Sequence, residues 1–423
     1  LEAPSIKERL TATNCLLILF WDFIKPLVEE MREKLEHQDE TEATEELQDL
    51  LDQQIAGGTP IPLGKGGGEV KNIPSAKGGA GTDPQDADFF SSKGRQESLK
   101  DFLAFYQQVQ PDHVYIIASG SSYNASCAAS VYMSRAMDVD VTVHCPSQVP
   151  AIRAARPMIM AVSQGGESTN TIAAINALKQ YPLIAVTGKE QCTINTMCDR
   201  RLPIGCRVET VGPKTMGYTA TIYTFSLLAL EAGFLSGKMD ADTYAAHVEM
   251  FSRVPEDCRE NIARTDAFTM KHLDAFSKMQ KMAFVGKGVG GEMAKEGALK
   301  VLETLLVPAI HYEYEEYLHG PLCAIDDSMA GFYMIAEDGD KERMLKVAQA
   351  HHGCAYIITG DEAIRGEHVL NLVTSGDDAT VPFEVILLPQ FISSEVPVNL
   401  GTVNKGMAQF RKFDDLVKMK AKR

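Results

Sequence analysis

From position 113 onward the chain alternates short, unbroken apolar runs with longer segments whose apolar residues recur every three to four positions. The short runs read as strands buried on both faces, and the periodic segments read as helices with one apolar stripe. Strands are expected over 113–118, 139–144, 158–162, 183–187 and 201–204. Helices fall between them over 123–135 and 169–179, and a long apolar helix over 218–235 closes the series. A charged helical stretch over 237–277 follows. The pattern then restarts: strand 282–285, helix 292–306, strand 331–336, helix 342–350, and strands over 355–359, 368–373 and 385–388. Alternation of this kind predicts a parallel sheet with helices on both faces.

The two series can be laid on each other. Ile116-Ile117-Ala118-Ser119-Gly120 matches Phe284-Val285-Gly286-Lys287-Gly288, and the stretches 182–188 and 354–360 both end in Thr-Gly. The fold class is therefore α/β: two doubly wound, flavodoxin-like parallel-sheet domains related by internal duplication. The predicted boundaries are 1–56 for an N-terminal helical extension, 57–97 for a linker or loop, and 98–237 for the first domain. A connector over 238–277 and the second domain over 278–423 complete the chain. The extension carries Ile24, Leu27, Met31 and Leu35 at helical spacing; the linker is rich in Gly and Pro, a composition too poor in apolar surface to fix itself.

Composition narrows the functions. A net charge of -16 argues against a nucleic-acid partner, because phosphate backbones need basic surface. Nine scattered cysteines without a Cys-x-x-Cys pair point to reduced thiols and a cytoplasmic location. No apolar run has the length of a membrane span. His311, Glu315 and His319 are spaced by four, but Pro308 and the tyrosines around them argue against the regular helix that metal ligation would need, so no metal and no cofactor are expected. Gly286-Lys287-Gly288-Val289-Gly290-Gly291 fits a dinucleotide fingerprint, yet no strand ending in an acidic residue follows at the right distance.

Chemistry concentrates in two places. In the first copy, two strand ends run into Ser119-Gly120-Ser121-Ser122 and Ser163-Gln164-Gly165-Gly166-Glu167-Ser168-Thr169. Backbone N–H groups and hydroxyls at such strand-to-helix turns make an anion cradle. Each serine could equally be a plain helix cap. In the second copy the matching loop is Glu337-Asp338-Gly339-Asp340, which would repel phosphate. That copy carries Lys300 and Glu303 on one helix face and His319 in a following turn, residue types that move protons near neutral pH. The plain alternative is a surface ion pair and a turn histidine.

In this order, Ser-Gly-Ser-Ser-Tyr-Asn, Ser-Gln-Gly-Gly-Glu-Ser, Glu-Gly-Ala-Leu-Lys-x-x-Glu and His-Gly-Pro resemble the sugar isomerase (SIS) domain family. The likeness, over about 100–410, is to the paired-SIS isomerase half of glucosamine-6-phosphate synthase and to fructosamine-6-phosphate deglycases. It implies a phosphosugar held by Ser121, Ser122, Ser163, Gln164, Gly165 and Ser168. It implies proton shuttling between C1 and C2 by Glu303, orientation of the substrate by Lys300, and ring opening by His319 from a second subunit of a homodimer or larger homo-oligomer. Lys405 is a looser match to a substrate lysine. Gly165 stands where the synthase carries a serine, and the synthase's glutamine-hydrolysing domain is absent. The expected function is isomerisation, deamination or deglycation of a ketose or amino-sugar 6-phosphate. The alternative is a sugar-phosphate-binding regulator without chemistry.

Overall fold

The computed structural model describes residues 92–206, 209, 213–335, 341–351, 354–403 and 405–421. The expectations for 1–56, for most of the linker and for the acidic loop at 337–340 lie outside the described residues. Residues 92–97, expected as the end of the linker, instead open a helix, α1 (Ser92–Val109). Phe102, Leu103 and Tyr106 hold that helix in the core, and their apolar stripe outweighs the polar start.

The first sheet contains β1 (His113–Ile117), β2 (Asp140–His144), β3 (Pro157–Ser163), β4 (Leu183–Thr187) and β5 (Arg200–Pro203). All pairings are parallel, in the order β2-β1-β3-β4-β5. The helices are α2 (Ser121–Met137), α3 (Thr169–Leu178) and α4 (Met216–Leu235). Next comes α5 (Ala241–Lys278), a single 38-residue helix. Although its sequence reads as a connector, Phe251, Val254, Ile262, Phe268 and Phe276 along it are buried.

The second sheet repeats the first. It is made of β6 (Lys281–Gly286), β7 (Ala309–Glu313), β8 (Met329–Ile335), β9 (Ala355–Thr359) and β10 (Val369–Asn371). Read from its other edge, its order is β7-β6-β8-β9-β10, strand for strand the order of the first sheet. The match extends to backbone detail. Gly120 after β1 has φ 61° and ψ -138°, and Gly288 after β6 has φ 54° and ψ -129°. Only glycine adopts that conformation readily, which is why both copies carry it at the turn from strand to helix. The helices here are α6 (Val289–Thr304), the single turn α7 (Tyr314–Tyr317), α8 (Lys341–Gln349), the short α9 (Val381–Glu384), α10 (Leu387–Leu400) and α11 (Lys405–Val417).

Two departures from the sequence pattern concern the second copy. β7 is formed by Ala309–Glu313, a stretch in which no strand is expected. It is an edge strand with polar His311 and Glu313 exposed, so it lacks the apolar run that marks its neighbours. The strand expected over 385–388 is helical, with Val385 and Ile386 joining α9 to α10. A short apolar run looks the same in a buried strand and a buried helix. Here α10 packs against α5 and α6, burying Leu387, Leu388, Ile392 and Val396. The stretch Val381–Leu400 is long and apolar enough to cross a membrane by length and composition, and it is mostly buried inside the fold.

One hydrophobic cluster runs through the middle of the molecule, from Val114, Ile116 and Met160 of the first sheet to Phe284 and Phe332 of the second. Two smaller clusters cover the outer faces of the sheets. Each fully buried Phe or Leu contributes about 1.5–3 kcal/mol of transfer free energy, so this shared core fixes the two copies against each other. The most intimate contact between the copies that bears on function is α2 against α6.

Candidate active site

Both serine loops lie at the carboxyl ends of adjacent strands, β1 and β3. Asn170, in the first turn of α3, stitches them together by donating from Nδ2 to Ser119 Oγ (3.0 Å). In the β3 loop, Ser163 Oγ accepts from the Gly166 amide (3.2 Å) and donates to Ser168 Oγ (3.3 Å). Gly166 sits at φ 65°, and a Cβ there would fall 2.1 Å from Cys192 Sγ. Gly165 differs: nothing lies within 4 Å of the position its Cβ would take. The acid in the loop, Glu167, is turned away from the cradle. Its carboxylate accepts from the Thr193 amide (2.9 Å) and hydroxyl (2.7 Å). Gln164 is also directed inward, its amide donating to Cys206 Sγ (3.4 Å) beneath Gly188 and Gly217.

A further cation reaches this loop that no motif in the sequence announces. Residues 418–421 lie back across it: Ser168 bridges Lys420, the Thr169 amide donates to Met419 O (3.1 Å), and the Ala421 amide donates to Glu167 O (2.8 Å). Lys420 Nζ then donates to Ser168 Oγ (3.2 Å). Burial lowers the Lys420 pKa, against the pull of Asp414 and Glu167. Lys405, expected in this role, is exposed at the start of α11. Its neighbour Gly406 abuts the Glu303 carbonyl, where a Cβ would come within 2.6 Å.

The second half of the site is a line of charge along α6. Glu296, Lys300 and Glu303 follow at helical spacing. Glu296 and Lys300 are buried to within 1% of full burial, while Glu303 keeps 37% of its side chain exposed. Lys300 Nζ donates to Glu303 Oε2 (2.7 Å) and lies 3.5 Å from Glu296 Oε1. Glu296 Oε2 accepts from Asn124 Nδ2 of α2 (2.8 Å). Glu296 Oε1 has no hydrogen-bond partner among the described residues. Burial drives the Glu296 pKa up to about 7, with Lys300, Asn124 and Ser121 pulling the other way. Lys300 is no surface pair. It is the buried centre of a chain that starts at Asn124 of α2 and ends at the open carboxylate of Glu303. At 1.5 Å per residue, Glu296 and Glu303 are about 10 Å apart along the helix.

His319 is not brought to Glu303 within the chain. Glu303 lies at the carboxyl end of α6, which runs back toward the amino ends of β6 and β7. His319 is exposed and lies past α7, beyond the carboxyl end of β7. A five-residue strand spans about 17 Å, so the two residues stand at opposite ends of β7. His311 is on that strand and Glu315 in α7, so the four-residue spacing does not place them on one helix face.

Glu296 is a candidate site residue that spacing did not single out. The signal was present, since Glu296, Lys300 and Glu303 share one face, but burial of the first two was not readable from the local sequence.

No family model matches the chain. Over 263 residues, 60% of this chain, it is 27% identical to the isomerizing glutamine–fructose-6-phosphate aminotransferase of Caulobacter vibrioides. That match covers 43% of the Caulobacter protein, and the chain spans less than half the length of the curated relatives it matches. Among solved structures, the C-terminal domain of glucosamine-fructose-6-phosphate aminotransferase from Francisella tularensis superposes with a TM-score of 0.66. It is 22% identical and covers 72% of this chain and 88% of that one. The fold is that of paired SIS domains. A glucosamine-6-phosphate deaminase from Thermotoga maritima shares this paired-SIS fold at a TM-score of 0.55 and 20% identity, over 73% of this chain and 93% of that one. In the paired-SIS frame of this chain the serine loops belong to the first domain and the Glu296–Lys300–Glu303 line to the second, and α2 against α6 joins them.

Proposed function

We propose that the chain is an enzyme acting at C1 and C2 of a ketose or amino-sugar 6-phosphate. The observation that carries this reading is the continuity of the site. An anion cradle at the start of α2 is joined through Asn124 and Glu296 to a buried lysine, and that lysine holds a partly exposed carboxylate, Glu303, about 10 Å from Glu296 along the helix. An open-chain hexose phosphate is a ligand of that form, with an anion at one end and a carbonyl at the other.

The chemistry follows from the groups. Ser121, Ser122, Ser163 and Ser168 hold the phosphate, with Lys420 adding positive charge and the Gln164–Gly165 backbone completing the loop. Fixing the phosphate far from the reacting carbons lowers the entropy cost of reaction. Glu303 removes the proton from the carbon next to the carbonyl and returns it to the neighbouring carbon. Lys300, held by two carboxylates, orients the oxygen on which charge develops. His319 of a second copy assists ring opening, because within one chain it stands at the wrong end of β7. Isomerisation, deamination and deglycation all begin with this proton transfer and differ in what leaves afterwards.

The test is a panel of hexose, amino-hexose and fructosamine 6-phosphates, assayed for isomer, ammonia or amine release. Glu303→Gln should lower kcat by about 10²–10⁴-fold, the usual worth of a general base, while phosphosugar binding persists. Tight binding by the native chain with no product from any member of the panel would replace this reading with that of a sugar-phosphate sensor.

A further inference from the structure

The β3 loop is held at both ends by a segment that carries a lysine. At Ser168 that segment is 418–421, with Lys420 Nζ donating to the Ser168 hydroxyl (3.2 Å). At Gln164 it is the turn that opens α4. A Cβ at Gly217 would fall 2.5 Å from Gln164 Nε2, so the first turn of α4 lies directly on that side chain. Glu209 ties this turn together. Its carboxylate accepts from the amides of Thr215 (2.7 Å), Met216 (3.1 Å) and Gly217 (3.1 Å) and from the Thr215 hydroxyl (3.2 Å). Both carboxylate oxygens are thereby committed to the start of α4. Lys214, inside the same turn, donates from Nζ to the Glu209 carbonyl instead (2.5 Å).

Each of these two amines donates to an uncharged oxygen, and neither forms an ion pair among the described residues. They are also near enough for one charge to act on the other. Burial lowers the pKa of both. Glu209 and Cys206 oppose it at Lys214, and Asp414 and Glu167 oppose it at Lys420, while the charge of Lys214 adds to the lowering at Lys420. Two like charges held together without ion partners cost free energy while the loop is empty. A dianion between them removes that cost, and a monoanion neutralises only half of the charge. Serine hydroxyls and backbone amides donate to any tetrahedral oxyanion, so they do not separate a phosphate from a sulfate ester. The number of cations does. Resting on the reading of the serine loops as the phosphate site, we propose that Lys214 is a specificity-determining residue that, with Lys420, makes the cradle select a dianionic phosphate over a monoanionic ester. The lysines enter from the two ends of the loop, so the anion held between those ends is the one they share. The flexible four-carbon stem of Lys214 lets its amine leave the Glu209 carbonyl for a phosphate oxygen.

The experiment is calorimetric titration of the full chain with fructose 6-phosphate and with fructose 6-sulfate. At about pH 7.5 the two esters differ by one charge and little in shape, because the second pKa of a phosphate ester is about 6. The native chain should bind the phosphate ester about 10-fold or more tightly than the sulfate ester, the worth of one added hydrogen bond between charged groups. Lys214→Gln keeps an N–H donor for the Glu209 carbonyl and removes the charge. It should lose most of that preference by weakening the phosphate ester and leaving the sulfate ester close to its native affinity. Lys214→Met should do the same and serves if the glutamine disturbs the turn. A preference undiminished in both variants, or no preference in the native chain, overturns the proposal and leaves the phosphosugar reading intact. Equal weakening of both esters also overturns it, since that result assigns Lys214 to holding the turn. Failure of the native chain to bind any sugar phosphate overturns both readings.

Discussion

Lys300 donates from a fully buried amine to the carboxylate of Glu303, 2.7 Å away, while Glu303 remains more than one-third exposed. The pair is asymmetric in solvent, and the asymmetry fits opposite duties. A buried amine cannot wander, so it fixes the position of the carboxylate. An open carboxylate can meet a substrate carbon.

Removing the amine separates structure from catalysis. Taking away one partner of a buried ion pair typically costs about 3–5 kcal/mol, because a charge is left unpaired. Glu296 can avoid part of that cost by protonating. In Lys300→Met its pKa rises further, since the lysine that was lowering it is gone. Its folded pKa then lies above the unfolded one, so stability holds at low pH and is lost as pH rises through neutrality. Lys300→Met should therefore melt near the native temperature at pH 5 and well below it at pH 8. Adding Glu296→Gln should restore the pH 8 melting temperature and leave turnover lost. A double variant no more stable than Lys300→Met would contradict this account.

The open space at Gly165 makes a gain-of-affinity experiment possible. The residue has no positive φ and no atom within 4 Å of a Cβ, so serine fits without strain. A new hydroxyl on the cradle adds a hydrogen bond to a charged group, worth about 1.5–3 kcal/mol. Gly165→Ser should tighten phosphosugar binding about 10-fold or more, at about 1.4 kcal/mol per decade, measured as Kd. Its neighbour is the control. Gly166→Ser meets both φ 65° and Cys192, and should lower the melting temperature without raising affinity.

Much of this architecture is legible in the sequence because parallel strands buried on both faces write themselves as apolar runs. Val114 to Ile117 and Met158 to Val162 are almost entirely inaccessible to solvent, as their composition predicts. The duplication is visible for the same reason, aided by Gly120 and Gly288, which hold one unusual backbone conformation in both copies. What the pattern hides is tertiary. β7 mixes polar and apolar residues because it is an edge strand, and the start of α10 reads as a strand because Leu387 and Leu388 are buried like strand residues. Glu296 and Lys300 look like surface charges in one dimension. Their burial depends on α2, which comes from 172 positions earlier in the chain. Lys420 reaches Ser168 by chain reversal at the end of α11, which no local spacing encodes.

Another buried carboxylate makes a prediction independent of the site. Glu231 on α4 is enclosed and accepts from the Tyr244 hydroxyl of α5 (2.8 Å), while its second oxygen has no hydrogen-bond partner among the described residues. Burial pushes its pKa up to about 7, with the Tyr244 hydrogen bond acting in the other direction. The folded value lies above the unfolded one of about 4.3. The native state therefore binds the proton more tightly, and stability falls as pH rises from that range through about 7. Glu231→Gln keeps an acceptor for Tyr244 and removes the titration. Its melting temperature relative to the native chain should be unchanged at pH 4 and higher at pH 8. The gain should be about 2 °C for each 1 kcal/mol recovered in a protein of this size. A difference independent of pH would assign the effect to packing instead.

The separation of Glu303 and His319 leads to a complementation test. They stand at opposite ends of β7, so a site that uses both must draw them from different copies. Glu303→Gln and His319→Ala should each be nearly inactive alone. After the two are mixed, unfolded and refolded together, random pairing gives mixed dimers in which one site joins an intact Glu303 to an intact His319. The mixture should recover turnover toward about one quarter of native, the fraction expected when half of the chains form mixed dimers and each carries one intact site of two. Tagging the two variants differently and isolating the mixed dimer should raise that fraction to about one half. Recovery confined to the background of the separate variants would mean that His319 does not act on the substrate held by Glu303. The exposed loop after α7 would then be a surface turn, and the Lys300–Glu303 pair would have to carry the proton transfer without it.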